Sequence, residues 1–233
     1  MPHLALMFDA PLQSWGFASR FQRRTTGLHP TKSGVVGLLC AALGAAKSSP
    51  TEREWLPKVA ALRLTVVTIP RQSVAAFVRT RVEELPLRRL EDFHTVLDTR
   101  RASGAMNKDP VVTRRQYLLD ARFGLLLAGD ADVLTRVAAA VRDPVWGVWF
   151  GRKCCLPAAP LYRDGPCDEA AAWHALIGAA PRQQFSRVEE ADRFEDGTDS
   201  IHDQPLSFGT ADSSGPEGRR FSPRRVKVVP RSQ

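Results

Sequence analysis

The arginines of this chain fall in blocks, and their chemistry is that of phosphate recognition. Between Ala10 and Thr51 there is no acid, while Arg20, Arg23, Arg24, Lys32 and Lys47 are present. A second block, Arg100, Arg101, Lys108, Arg114 and Arg115, is opposed by Asp109 alone. A third, Arg219, Arg220, Arg224, Arg225, Lys227 and Arg231, is opposed by Glu217 alone. The reverse bias fills 187–203, where Glu189, Glu190, Asp192, Glu195, Asp196, Asp199 and Asp203 outnumber Arg187 and Arg193. A guanidinium is a planar fork that binds phosphate bidentately and stacks on bases, so arginine-rich loops favour a nucleic-acid backbone over general solubility. The net charge of +8 is what remains after the acidic segment offsets the basic ones.

One helix start adds to this. Pro30-Thr31-Lys32-Ser33-Gly34 opens an apolar run with no acid in its first turn, and Lys32 sits beside the positive end of the helix dipole. That arrangement calls for an anion, and the expectation is a phosphate at Lys32 and Ser33. Gly27 to Ser33 superficially resembles a phosphate-binding Walker loop. Thr26 and Thr31 stand where its glycines belong, so nucleotide hydrolysis is not expected. Four cysteines, none in a C-x-x-C pair, predict neither a disulfide framework nor a zinc site, and no metal or cofactor is expected. The N-terminus lacks a basic leader, and no apolar run approaches the roughly 18 residues of a membrane span; the expectation is a soluble, cytoplasmic chain with no membrane partner.

The elements that must position these groups follow from periodicity. Leu4–Phe8 reads as a strand, and Asp9–Thr31 as a long loop of the kind that carries function. Gly34–Gly44 is apolar all round, hence a buried helix, and Thr51–Ala60 is a second helix with Thr51 and Glu54 spaced as a capping box. Leu62–Ile69 and Gln116–Ala128 read as strands, Asp130–Arg142 as an amphipathic helix, and Val145–Phe150 as a short aromatic strand. Glu83–Arg115 reads as a projecting hairpin with its tip at Gly104 and Asn107. Asp168–Ile177 is a short helix and Arg224–Val229 a closing strand. The expected class is α+β. Its plan is a ferredoxin-like, RRM-type domain over 1–155, including a thumb hairpin at about 83–115, with a less regular extension over 156–233 packed on it.

Five segments carry a resemblance. Pro11 to Gly16, Pro30 to Leu39, Asp92 to Leu97, Arg115 to Ala121 and Phe150 to Cys155 resemble, in order and spacing, the CasD family of type I-E CRISPR Cascade subunits. The resemblance implies a non-catalytic RNA-binding subunit of an RNA-guided antiviral complex that anchors the 5′ handle of the CRISPR RNA. Its partners would be that RNA, a backbone-forming subunit and a large subunit, with target DNA reached only through the complex.

On that reading Gln13 offers an amide to a base edge, and Trp15 is either a stacking face or a lid over the sheet. Arg20, Arg23, Arg24, Arg114 and Arg115 contact phosphates. Arg100, Arg101 and Lys108 near the thumb tip meet RNA or a neighbouring subunit, and Arg152 and Lys153 face the handle. Trp146 and Trp149 are read as core or subunit interface. The rival reading is a metal-independent endoribonuclease acting on repeat RNA. It needs a base and an acid at a ribose 2′-OH and a cation at the phosphate. His94, Tyr117 and Lys108 are the available types, and their spacing does not assemble them.

Overall fold

The computed structural model describes residues 1–16, 22–74, 82–101, 103–107, 109–209 and 218–232. Strand β1 (His3–Asp9) alternates Leu4, Leu6 and Phe8 toward one face with Ala5 and Met7 toward the other, and all five are buried. Period-2 alternation with both sets apolar is what a strand covered on both faces requires. After the dipeptide strands β2 (Leu12–Gln13) and β3 (Arg23–Arg24), the chain forms helices α1 (Lys32–Ala42) and α2 (Pro50–Ala60), then β4 (Arg63–Thr68). A small pair, β5 (Arg71–Val74) with β6 (Val82–Leu85), precedes a long hairpin of β7 (Arg88–Val96) and β8 (Val111–Leu119). Strand β9 (Arg122–Ala128), helix α3 (Ala131–Arg142), β10 (Tyr162–Cys167) and helix α4 (Glu169–Ile177) follow. Strands β11 (Arg187–Glu190), β12 (Asp199–Phe208) and β13 (Arg219–Val229) close the chain.

The mixed α+β class holds. Seven strands form one sheet in the order β10-β1-β9-β4-β11-β13-β12, every neighbouring pair antiparallel. The larger core, with residues of α1, α2 and α3, lies on the Leu4/Leu6/Phe8 side. A smaller one, with Ala172, Trp173 and Leu176 of α4, covers Ala5, Met7, Val67 and Leu126 on the other.

Three local expectations shift. Val145–Phe150 is not a strand: its backbone is irregular, and the edge partner of β1 is β10 instead. The sheet thus runs through the boundary drawn at residue 155. Phe150 still serves the core, its ring 4.5 Å from that of Phe8, which also stacks on Trp15 at 5.8 Å. Gln116–Ala128 is two strands, because Asp120 takes a left-handed backbone (φ 50°) and swings the chain out of the hairpin sheet into the main one. Asp tolerates that conformation through its short polar side chain. The cap of α2 is Ser49, whose Oγ accepts from Glu52 N at 3.1 Å, while Glu52 reaches back to Ser48 N at 2.5 Å. The capping pair lies two residues earlier than the spacing of Thr51 and Glu54 implied, because Pro50 fits the first helical position.

The acidic segment is built into the fold. Asp203 on β12 accepts from the Lys32 backbone N at 2.7 Å and from both forks of Arg224 at 2.6 and 3.0 Å. Glu190 on β11 holds the Lys32 ammonium at 2.7 and 2.8 Å and accepts from Leu64 N at 3.1 Å. The Asp203 and Arg224 side chains are 1% and 6% exposed, so removing one strands the other's charge in a dry site. Asp203→Ala is expected to lower unfolding stability by about 3–5 kcal/mol, whereas Asp192→Ala, which removes a half-exposed partner of Arg63, costs under about 1 kcal/mol. Denaturant midpoints of the two variants against the parent check this.

Candidate nucleic-acid interface

The hairpin sheet brings Arg23 and Arg24 of the first basic block against Arg114 and Arg115 of the second. Strand β3 runs parallel to β8, setting Arg23 beside Arg114 and Arg24 beside Arg115. Like charges directly opposite one another are unfavourable, so this pairing needs an external hold. It is supplied by Arg152, whose Nη1 donates to the Gln116 carbonyl at 3.0 Å and whose Nη2 donates to the Arg24 carbonyl at 3.1 Å. The guanidinium lies 4.5 Å from the centre of the Tyr117 ring. Arg114 N also donates to the Gln22 carbonyl at 2.8 Å. The clip uses carbonyls, not carboxylates, so it adds a fifth positive charge. Among the described residues only Arg114 of these five has a carboxylate within 4.0 Å, Glu91 at 3.9 Å, while Asp92 stands opposite Arg115 across the hairpin.

Arg152 is placed by the turn before it. Gly151 has φ +93°, and a Cβ there would lie 1.8 Å from the Ser14 carbonyl oxygen, so only glycine allows the close approach. Ser14 N in turn donates to the Phe150 carbonyl at 3.0 Å, and Ser14 Oγ to Gln116 at 3.2 Å.

Beside the arginine ladder, an open cleft of 730 Å³ runs between α1 and the 145–153 segment. Trp146, Trp149, Phe208 and Phe221 line it with aromatic surface, and Arg24, Lys47, Arg152 and Arg219 line it with positive charge. Lys47, Arg219 and the four aromatics are what the reading from residues missed as site groups. The signal available was the dense aromatic run Val145–Phe150 immediately before Arg152-Lys153.

The other expected site residues divide. Gln13 is fully buried: its amide donates to the carbonyls of Phe8 and Ala121 at 3.1 and 2.7 Å, and its oxygen accepts from Trp15 Nε1 at 3.0 Å. No atom of it is left for a base edge. Trp15 is 1% exposed and serves as a lid over the sheet, not a stacking face. Lys32 is 2% exposed and its ammonium is taken by Glu190, so the anion at the start of α1 is the chain's own. Burial pulls the Lys32 ammonium below its usual pKa, against the pull of Glu190. Ser33 is half-buried on the cleft wall.

Arg100 and Arg101 are exposed at the hairpin tip, where Arg101 Nε donates to Asn107 Oδ1 at 2.8 Å and Gly104 turns with φ +83°. Lys153 is exposed, its ammonium 5.8 Å from the Trp149 ring centre. Arg20 and Lys108 lie outside the described residues. In the third block Arg224 is consumed by Asp203, Arg225 donates to the carbonyls of Phe194 and Gly197, and Arg231 pairs with Glu84. The two described side chains of the ribonuclease reading differ in setting. His94 is exposed on β7, four residue pairs along the hairpin from Tyr117, which is 6% exposed and whose hydroxyl burial pushes above its usual pKa. Among the described residues no group of three or more His, Cys, Asp or Glu could hold a metal ion, and no helix is long and apolar enough to cross a membrane.

Arginines beside an aromatic cleft, carried on a mixed sheet, have the charge and the stacking surface that a single-stranded nucleic acid requires. The sequence profile described as CRISPR-associated protein (Cas_Cas5) matches residues 3–229, and the chain belongs to that family. It is 32% identical over 183 residues, 77% of each chain, to the CRISPR system Cascade subunit CasD of Escherichia coli (strain K12). A chain of a CRISPR RNA-guided surveillance complex superposes with TM-score 0.72 at 26% identity, covering 98% of this chain and 90% of that one. A structure titled Crystal structure of Cas protein superposes with TM-score 0.61 at 29% identity, covering 99% and 96%.

Arg152→Ala is expected to release β3. Amide exchange at residues 22–27 rises by about tenfold or more, as loss of two charge-assisted bonds worth roughly 1.5–3 kcal/mol requires, and Arg152→Lys gives an intermediate rise. Unchanged exchange would show that the ladder holds without the clip.

Proposed function

We propose that this chain is a non-catalytic RNA-binding subunit of an RNA-guided antiviral surveillance complex, anchoring the 5′ handle of CRISPR RNA. The observation that carries the reading is the ladder of Arg23, Arg24, Arg114, Arg115 and Arg152. Four of these cations have no carboxylate within 4.0 Å among the described residues; Arg24, Arg115 and Arg152 share one face of the hairpin sheet, and Arg23 and Arg114 lie on the other. Such a surface is incomplete without a polyanion. Likeness to a chain of a CRISPR RNA-guided surveillance complex supports RNA as that polyanion.

In this reading the strands β10-β1-β9-β4, with their crossover helices, are a ferredoxin-like unit, their order being that of the β-α-β-β-α-β plan. The β7–β8 hairpin is its thumb. Both faces of β7 are largely exposed, with Leu90 and Phe93 at 41% and 64%, as suits a hairpin that is covered by a neighbour. The neighbours are the backbone-forming and large subunits, target DNA is met through the complex, and the setting is the cytoplasm. Sequence reading is left to pairing between guide and target, so this chain needs only to hold its RNA.

Expressed with its complex partners and a CRISPR array, the chain is expected to co-purify with CRISPR RNA; recovery only as an RNA-free monomer would sink the assignment. For the isolated chain on single-stranded handle RNA, the slope of log K against log [salt] is expected to flatten by about 0.7 for each of Arg23, Arg24, Arg114 or Arg115 replaced by Gln. Incubation with repeat RNA in EDTA is expected to leave it uncut, whereas cleavage lost in His94→Ala would turn the reading toward an endoribonuclease.

A further inference from the structure

We infer that the pocket at the root of the β7–β8 hairpin is a protein-docking site that takes a glutamate or aspartate side chain of a partner subunit together with an aliphatic neighbour, an inference that rests on the reading of this chain as one subunit of a larger complex. Four arginines from four segments line this pocket: Arg71 at the start of β5, Arg88 at the start of β7, Arg122 at the start of β9 and Arg231 beyond β13. Three of them are matched within the chain. Arg71 pairs with Asp9, Arg88 with Asp120 at 3.2 Å, and Arg231 with Glu84. Arg122 is left over, with no carboxylate within 4.0 Å among the described residues. Its Nε is buried without an acceptor, and its Nη2 meets the Pro70 carbonyl at a long 3.5 Å. Asp9 stands across from it in the β1–β9 register, yet that carboxylate is turned to Arg71. Burial pulls the Arg122 guanidinium below its usual pKa, Asp9 resists, and the nearby Arg71 and Arg163 add to the pull. A guanidinium keeps its proton all the same, and a partly desolvated one without a counter-charge is costly.

Size, lining and placement decide what supplies the missing charge. At 260 Å³ the pocket falls below the roughly 300–1,000 Å³ of small-molecule and cofactor sites and has room for side chains. Ile69, Leu85, Leu87 and Leu119 give it an aliphatic wall, with Leu85 41% exposed. A planar carboxylate matches the guanidinium fork, and an apolar residue beside it matches the wall. A nucleic-acid phosphodiester carries the same charge but brings riboses, which an aliphatic wall of this size suits poorly. Arg122 also shares its side of the main sheet with Gly124 and Leu126, against α4, which is the opposite face from α1 and the aromatic cleft. The occupant touches the end of β4, the β5–β6 pair and both strands of the hairpin root, so docking there fixes the hairpin against the main sheet.

Two measurements on the full chain test this. In the first, the arginine Nε–H signals are followed by NMR while three probes are added: the N-acetylated amides of leucyl-glutamate and leucyl-glutamine, and inorganic phosphate. The glutamate peptide alone is expected to move the Arg122 signal, and Arg122→Gln to abolish the accompanying response at Arg71 and Arg88. In the second, the apparent affinity of the chain for the remaining subunits and CRISPR RNA, assembled without it, is compared for the parent, Arg122→Gln and Arg122→Lys. Arg122→Gln is expected to lower it by about 30-fold or more, while the affinity of the isolated chain for handle RNA and its salt slope keep the parent values. Arg122→Lys keeps the charge and loses the fork; reduced assembly with an unchanged denaturant midpoint in this variant carries the point should Arg122→Gln unfold. An Arg122 signal unmoved by the glutamate peptide, or full assembly by Arg122→Gln, overturns the docking site. An equal response to inorganic phosphate, or a salt slope flattened by about 0.7 in Arg122→Gln, overturns it in favour of a phosphate contact. A parent that joins no complex overturns the reading on which the inference rests, and the peptide titration still decides the chemistry of the pocket.

Discussion

The carboxylate of Asp203 is the group on which the architecture turns. It caps the positive start of α1 through Lys32 N and neutralises the buried Arg224, while the Lys32 side chain reaches Glu190. The two contacts of Lys32 join residues more than 150 positions apart in the chain and, with the Asp203–Arg224 pair, tie β11, β12 and β13 to the first helix. A buried charge is tolerable only with its partners in place, so the closing strands and the helix are obliged to form together. The wall of the cleft follows from this, since Phe208 and Phe221 lie on the strands that the network holds against α1.

A second constraint shapes the interface itself. Arginines that repel one another must be kept in register without an opposite charge between them. The chain meets this with uncharged acceptors: the Arg24 and Gln116 carbonyls receive the Arg152 fork, and the Tyr117 ring supports it. An acidic partner would have held the ladder as firmly but cancelled its charge. The clip in turn depends on Gly151, because no Cβ fits against Ser14 there. Thus a backbone requirement at one glycine sets the position of a cation, and that cation sets the position of the others.

Much of the scaffold was legible from periodicity. Helices α1, α3 and α4 and strands β1 and β4 fall within a few residues of where apolar spacing and caps put them. The exceptions have local causes. The left-handed Asp120 breaks a run that reads as one strand, and the aromatic run Val145–Phe150 mimics a strand while only Phe150 of it is fully buried in the core. The site was legible in its charge and not in its geometry. Arg23, Arg24, Arg114 and Arg115 meet as their block character suggests, whereas Gln13, Trp15 and Lys32, which lie on equally suggestive segments, face inward.

By itself the sequence determined that arginine comes in blocks, whose charge must meet anions or acceptors from elsewhere, and it determined the kinship, because motifs in order do not depend on contacts. Only the tertiary structure decided which charges are available. Lys32 lacks any acid nearby in sequence yet has one 2.7 Å away in space, contributed from residue 190. Whether a cation awaits a phosphate depends on distances to groups far along the chain, and neither composition nor local spacing carries those distances.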